Sequence, residues 1–243
     1  MSKISTFSLP AGATCPKASL CLSTVKERKD GTRYLVDGKA CEFRCFAASQ
    51  EVMYTETYKA RKHNLQTLKG ARNKLRVLDN AVNGVDRDSL KFGKGNAKLD
   101  KNAKAKGLLK SKYKKIVRIH VSGDFFNKSY FDAWVDTARK NPDMLFYAYT
   151  KSVQFWIDHL PKTKASKPVS GIPGVPNLVL TASKGGKDDA LIAKHNLRFA
   201  EVFQTETEAR KAGLKVDQDD SLAMTPGKSF ALVVHGVQPA KKK

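Results

Sequence analysis

Between Lys115 and the C-terminus, apolar runs of strand length alternate with segments of helical period, and only a few architectures accept that rhythm. The runs are 116–121, 145–150, 178–182, 199–204 and 230–235. The first helical segment, 129–140, turns Tyr130, Phe131, Trp134, Val135 and Ala138 to one face and stops at Asn141-Pro142, where proline cannot continue a helix. Further helices are expected over 153–160, ending before Pro161, over 188–195, and over 206–212 with Gly213 as its cap. Strands joined by helices form βαβ units with right-handed crossovers, so the fold class is α/β. The βα units build a closed or partial (β/α) barrel or an open, doubly wound parallel sheet, and periodicity does not choose between them. In all of these, binding groups collect at the C-terminal ends of the strands.

The rest of the chain reads differently. Residues 1–45 form a cysteine-bearing, loop-rich segment with a turn at Lys29-Asp30-Gly31 between two short candidate strands. Residues 46–114 read as a basic helical and loop insertion. In its first half Leu65, Leu68, Leu75, Leu78 and Val82 recur at steps of three, four and seven, which predicts one long amphipathic helix or two in succession. Its second half, rich in Gly, Asn and Lys, predicts a mobile loop. Residues 115–243 are the βα core, and 46–243 can share one domain with 1–45.

Charge narrows the partners. The chain has 45 Lys and Arg against 23 Asp and Glu, a formal charge of +22, and Lys59 to Lys115 holds eighteen basic residues against Asp79, Asp86, Asp88 and Asp100. Such a field draws polyanions. Nucleic acid or a nucleotide is the expected partner, with Lys94, Lys98, Lys101, Lys104, Lys106 and Lys110 as phosphate contacts; a solvated connector is the other reading of that stretch. No charged-then-apolar leader and no apolar run of about eighteen residues is present, so no membrane contact is expected.

Cys15, Cys21, Cys41 and Cys45 are the only cysteines, spaced C-x5-C and C-x3-C across a nineteen-residue loop. An intracellular chain keeps them reduced. Four soft sulfur ligands match zinc or an iron–sulfur cluster in type and number, although the C-x2-C knuckles of a zinc ribbon are missing. Small buried hydrophobes or a disulfide pair are the other readings. If three thiolates hold iron and the fourth stands aside, an open iron can take a substrate; if all four ligate, the centre is closed and structural.

At the end of the first βα strand the alternation sets Val117, Ile119 and Val121 on one face and Arg118, His120 and Ser122 on the other, with Asp124 following Gly123. Asp124 and His120 are the candidate catalytic pair. Asp124 suits proton transfer, metal support or a ribose contact, and equally a helix cap or Asx turn; His120 suits a pocket or a hydrogen-bonded core. Ser122, Thr150, Lys151, Ser183, Lys184, Gln204 and His235 hold the equivalent strand ends and line a candidate polar pocket. The turn Ser183-Lys184-Gly185-Gly186-Lys187 offers amides and cations for a phosphate without the spacing of a P-loop, and also reads as an ordinary βα turn.

In order along the chain, Phe7-Ser8-Leu9-Pro10-Ala11-Gly12, Thr14-Cys15-Pro16, CEFRCFA from Cys41, RKHNL from Arg61, RIHVSGDF from Arg118, FYAYTKS from Phe146 and KSFALVVHGVQP from Lys228 resemble the phage gene product 88 family. The resemblance implies a bacteriophage protein in the cytoplasm of an infected host cell, with a cysteine-bearing N-terminus on an α/β core, and it implies no particular reaction. Cys45-Phe46-Ala47 is also similar to the cluster loop of phage proteins distantly similar to radical S-adenosylmethionine enzymes, which implies an iron–sulfur cluster with S-adenosylmethionine. The chain departs from their C-x3-C-x2-C pattern at Ala48, so a cluster must recruit Cys15 or Cys21. Two functions are expected: a metal-bearing protein that modifies a nucleotide or nucleic acid, or a nucleic-acid-binding protein with a structural four-cysteine site.

Overall fold

The computed structural model describes residues 4–85, 89–95, 97–163, 165–234 and 238. It opens with β1 (Ile4–Thr6), followed by a hairpin of β2 (Ser23–Glu27) and β3 (Arg33–Asp37). The expected turn joins the hairpin: Gly31 has φ +82°, and Asp30 Oδ1 accepts the Thr32 amide at 2.8 Å.

Three helices follow where one or two were expected: α1 (Phe46–Met53), α2 (Thr55–Gly70) and α3 (Lys74–Asn83). Tyr54 is extended (φ −114°, ψ 103°) between the first two, and Ala71 (φ −69°, ψ 121°) ends the second. Asn73 then caps α3 by accepting the Arg76 amide. The leucine period runs through the break because Leu65, Leu68, Leu75, Leu78 and Val82 all pack into one core cluster. Shared burial, rather than a continuous helix, produced the pattern.

The stretch expected as a mobile loop forms β4 (Gly93–Lys94), α4 (Ala97–Lys101) and α5 (Ala103–Ser111), with Asn102 capping α5 through the Ala105 amide at 2.8 Å. Leu99, Ala105 and Tyr113 are buried with Ile4 and Ile116. A few apolar residues on one face anchor these short helices while their lysines stay in water.

The alternating core comprises β5 (Lys115–Ile119), α6 (Lys128–Lys140), β6 (Met144–Thr150), α7 (Val153–Ile157), β7 (Gly171–Ile172), β8 (Val175–Ser183), α8 (Asp189–Lys194), β9 (Phe199–Phe203), α9 (Glu206–Lys211) and β10 (Phe230–Val233). In the sheet β1, β5, β6, β8, β9 and β10 lie side by side in chain order and parallel. The short β4 pairs antiparallel outside β1, and β7 folds antiparallel onto β8. Among the described residues the edge strands β4 and β10 do not pair, so hydrogen bonds do not close a barrel. Because β1 sits between β4 and β5, the cysteine-bearing segment grows out of the sheet itself.

One face of the sheet, through Val117, Ile119, Phe146, Ala148, Leu178 and Leu180, packs on α3, α6, α7 and α8. Trp134 of α6 is fully buried there, edge-on to Phe7 at 5.6 Å between ring centroids; burial of each such large side chain contributes about 2–3 kcal/mol. The other face, through Ile116, Leu145, Tyr147 and Val179, packs on α4, α5 and a loop that contains Ala223 and Met224. No helix among the described residues is long and apolar enough to cross a membrane.

Candidate functional site

The loop that leaves β1 runs across the C-terminal ends of the neighbouring strands. Phe7 and Leu9 donate their amides to the Arg118 and Ser122 carbonyls (both 2.9 Å), and Val121 returns one to Phe7 (3.0 Å). Further on, Ser19 and Leu20 bond the Gly185 carbonyl beyond β8 (3.3 and 3.1 Å), while Lys187 donates to the Lys17 carbonyl (2.9 Å). The stretch between Cys15 and Cys21 thereby spans from the end of β5 to the end of β8. The second cysteine pair is drawn to the first, since the Glu42 and Phe43 amides both reach the Leu20 carbonyl (2.8 and 3.2 Å).

The four thiols are reduced and partly buried. Burial, then Asp124, Cys45 and Cys21, push the Cys15 thiol far up. Burial raises Cys21 to about 11; Cys45, Cys41 and Asp124 add to the rise, and Lys151 opposes it. Cys45 is raised by burial and held back by the Ala47 and Ala48 amides at the start of α1. Cys41 is also raised by burial, but its surroundings are Ser23, Asp37 and Arg44, and its Sγ bonds the Phe43 carbonyl at 3.2 Å. Among the described residues, no three Cys, His, Asp or Glu side chains converge closely enough to hold a single ion.

Asp124 lies under this loop and is 4% exposed. Its Oδ1 accepts Phe125 N and Thr150 Oγ1 (both 2.7 Å), and its Oδ2 accepts Lys151 N (2.8 Å), so the carboxylate ties the end of β5 to that of β6. Burial raises its carboxyl while these hydrogen bonds pull it down. Helix α6 is capped by Asn127 instead. Lys151 extends the same framework: its Nζ reaches Ser183 Oγ (2.9 Å) and the carbonyls of Ser183 (3.0 Å) and Lys184 (2.5 Å). Thr150, Lys151 and Ser183 are thus brought together with Asp124 beside the thiols, while the Ser122 hydroxyl turns to Glu51.

Other candidates fall elsewhere. His120 has φ +64°, which breaks the strand alternation and swings the ring into the aromatic core between Phe7, Phe125 and Tyr130. Its Nε2 meets Tyr130 Oη at 2.9 Å, and burial lowers its pKa to about 3, so the imidazole is a neutral core group. In the turn after β8, the Gly185 and Gly186 amides are already taken by the Asp189 carboxylate (2.8 and 2.9 Å), and Lys184 Nζ pairs with Glu201 (2.9 Å). That leaves those amides facing an internal anion. Gln204 is exposed, its amide bonded to Glu208 Oε2 at 2.9 Å in the capping box of α9. His235 lies outside the described residues. Lys94, Lys98, Lys101, Lys104, Lys106 and Lys110 are all exposed, on β4, α4 and α5.

Residue-type patterns did not single out two ionic groups, one buried and one partly buried. Glu51, on α1, accepts from Ala11 N, Arg61 Nη1 (both 2.9 Å) and Ser122 Oγ (3.2 Å) through one oxygen. On the other face of the sheet, Asp220 (φ +64°) accepts from Arg118 (2.7 Å), Tyr147 (2.8 Å) and Tyr149 (3.4 Å). Arg61 and Asn64 come from the RKHNL stretch, and the one usable signal was that two polar residues three apart share a helix face. Asn64 Nδ2 binds the Ser8 and Lys91 carbonyls at 3.0 and 2.9 Å.

Residues 2–243 match the profile of a family described as Gene product 88. The Gene 88 protein of Mycobacterium phage L5 is 51% identical over 37 residues, which is 15% of this chain and 16% of that protein. No solved structure matches. With nearly the whole sequence accounted for by one profile, the chain belongs to the Gene product 88 family.

Proposed function

We propose that the thiols at the C-terminal ends of β1, β5, β6 and β8 hold an iron–sulfur cluster, and that the protein uses it on a nucleotide or nucleic acid. The observation that carries this reading is that the Leu20 carbonyl takes both the Glu42 and Phe43 amides while Leu20 itself bonds Gly185, which draws the second cysteine pair to the first over the strand ends. Cys15 is raised by Cys45 and Cys21, and Cys21 by Cys45 and Cys41, with Asp124 in the same field. Buried thiols that raise one another's pKa ionise readily only around a cation, and soft sulfur selects iron or zinc. A single zinc needs ligands that converge on one point, which the described residues do not. A cluster carries its own bridging sulfides and is held by sulfurs set further apart.

Cys15, Cys21 and Cys45 are the ligands in this reading, and Cys41, turned toward Ser23 and Phe43, stands aside. Such a cluster supplies one-electron transfer, and an iron without a protein ligand takes a small molecule such as S-adenosylmethionine. Around it the Ala47 and Ala48 amides favour the Cys45 thiolate, Lys151 favours that of Cys21, and Asp124 braces two strand ends. The unbroken chain order of the parallel strands supports a partial (β/α) barrel, in which this mouth would be the binding end. The charge of +22 supports a polyanionic substrate.

Anaerobic purification followed by iron, acid-labile sulfide and zinc analysis tests the reading. Iron with matching sulfide, lost in Cys15→Ser, Cys21→Ser and Cys45→Ser but kept in Cys41→Ser, is the expected result. Stoichiometric zinc without sulfide, or no metal at all, overturns it.

A further inference from the structure

The hairpin and α2 enclose a groove of about 550 Å³ on the surface. Arg33, Tyr58, Lys59 and Lys62 line it, with Glu27 as a carboxylate on its wall. Arg33 spans its floor: Nε donates to the Glu51 carbonyl (2.9 Å), while Nη2 donates to the Val52 carbonyl (3.2 Å) and Thr55 Oγ1 (2.8 Å). Tyr58 is fixed by its hydroxyl on Glu27 (3.1 Å), with the Arg33 guanidinium 5.2 Å and the Lys62 ammonium 5.1 Å from its ring centre. Next to Thr55, at the joint of α1 and α2, Tyr54 is 57% exposed and Met53 63%. Both side chains are therefore available for contact from outside.

We infer that this groove takes single-stranded nucleic acid, its phosphates on Arg33, Lys59 and Lys62 and a base stacked on Tyr54; the inference rests on the nucleic-acid half of the reading above. Cations near an exposed aromatic face are what a single strand requires, because its bases are unpaired and stack on any flat ring. A duplex buries those faces and an acidic peptide lacks them. Here Arg33 is held in place, Lys59 and Lys62 are exposed side chains that a phosphate would have to draw from Glu56 (3.3 Å) and Glu27 (3.7 Å), and Tyr54 directly precedes the groove-lining Thr55. The exposed lysines of α4 and α5 offer charge alone, since Tyr113 beside them is only 5% exposed. The position also suits the thiol centre: Cys45 stands at the start of α1 and Arg33 grips the carbonyls of Glu51 and Val52 near its end, six to seven residues on, or about 10 Å along the helix.

Fluorescence anisotropy of the full chain with a short labelled single-stranded oligonucleotide tests this, with heparin and poly-glutamate as competitors. The wild-type affinity is expected to fall with salt at a logarithmic slope of about 2, from three phosphate contacts. Lys59→Glu with Lys62→Glu is expected to weaken binding about tenfold or more, the milder Lys62→Gln severalfold, and Lys101→Glu with Lys104→Glu and Lys110→Glu distinctly less. Tyr54→Ala is expected to cost about fivefold on the oligonucleotide and to leave heparin binding unchanged, since heparin has no bases. The inference is overturned if the groove variants bind like wild type, if the α4–α5 triple variant is the one that loses binding, if Tyr54→Ala weakens both ligands equally, or if poly-glutamate competes as well as the oligonucleotide. Iron and sulfide measured on the same samples should not change, so a failed groove and a failed cluster read out separately.

Discussion

Glu51 and Arg61 form an ion pair at 2.9 Å with side chains only 1% and 6% exposed, and the same Glu51 oxygen receives Ala11 and Ser122. One carboxylate therefore fastens α1, α2, the loop after β1 and the end of β5. Removing it alone leaves the Arg61 charge buried without a counter-ion. Glu51→Ala is expected to lose about 3–5 kcal/mol in urea unfolding, and Glu51→Leu with Arg61→Met to recover a good part of that. Equal stabilities for the single and double variants would contradict the assignment.

His120 makes stability depend on pH in the acid range. Its folded pKa of about 3 lies below the ordinary value of 6.5, so between those values the unfolded chain binds the proton and the folded one does not. Stability is then complete above pH 6.5 and falls as the pH drops toward 3, by about 2 kcal/mol at pH 5 from this group alone. Asp124, raised by burial, acts in the opposite sense around the carboxylate range, so the comparison must be made between wild type and a His120 variant. His120→Asn, which tolerates the positive φ, is expected to flatten the profile between pH 5 and 6.5. A signal assigned to the His120 imidazole, by its loss in His120→Asn, that titrates near pH 6.5 in the folded protein would rule this out.

The metal-free protein should respond to alkali through Cys21. Its thiol is raised from 9.0 to about 11, so within that window the unfolded chain has lost a proton that the folded one keeps. Stability is unaffected below pH 9 and is expected to fall by about 2 kcal/mol as the pH rises toward 11. Cys21→Ala should remove that step in denaturant titrations. Alkylation of folded metal-free protein near neutral pH should likewise be slow, with Cys41 reacting first because it is the least enclosed of the four.

Gly123 lets the cysteine loop lie directly on the sheet. It has φ +83°, and a Cβ there would stand 2.7 Å from Leu9 Cβ and press on Thr14 Oγ1. Gly123→Ala is expected to cost about 2–4 kcal/mol through backbone strain and overpacking together. It should also speed alkylation of Cys15, whose thiol is enclosed by the same loop; a melting temperature like that of wild type would show that the loop gives way freely.

The βα core was legible because each strand is an apolar run between clear helix stops. Asn141-Pro142 and Gly213 mark boundaries that the structure keeps to within a residue or two. The first half was harder. Tyr54 breaks a helix by its backbone conformation, with no proline or glycine to announce it, and β1 is three residues long with one partner strand nearly ninety positions away and the other more than a hundred. At the candidate site the strand-end rule picked out Asp124, Thr150 and Lys151, which the structure joins by hydrogen bonds, and Ser122, which bonds Glu51 instead. It misplaced His120, since a positive φ at a non-glycine residue leaves no mark in a pattern of apolar and polar letters. Glu51 escaped for a related reason: its partners come from three separate segments, and no local spacing records them.

The position of β1 sets a timetable for biosynthesis. Its parallel partner, Ile116 to Arg118, leaves the ribosome only after roughly a hundred further residues, or about ten seconds at ordinary elongation rates. Until then the newly made thiols have no sheet to rest against and are open to oxygen and stray metal. Assembly of any cofactor must therefore wait for the middle of the polypeptide, and slower translation would lengthen the interval in which those sulfurs stand unguarded.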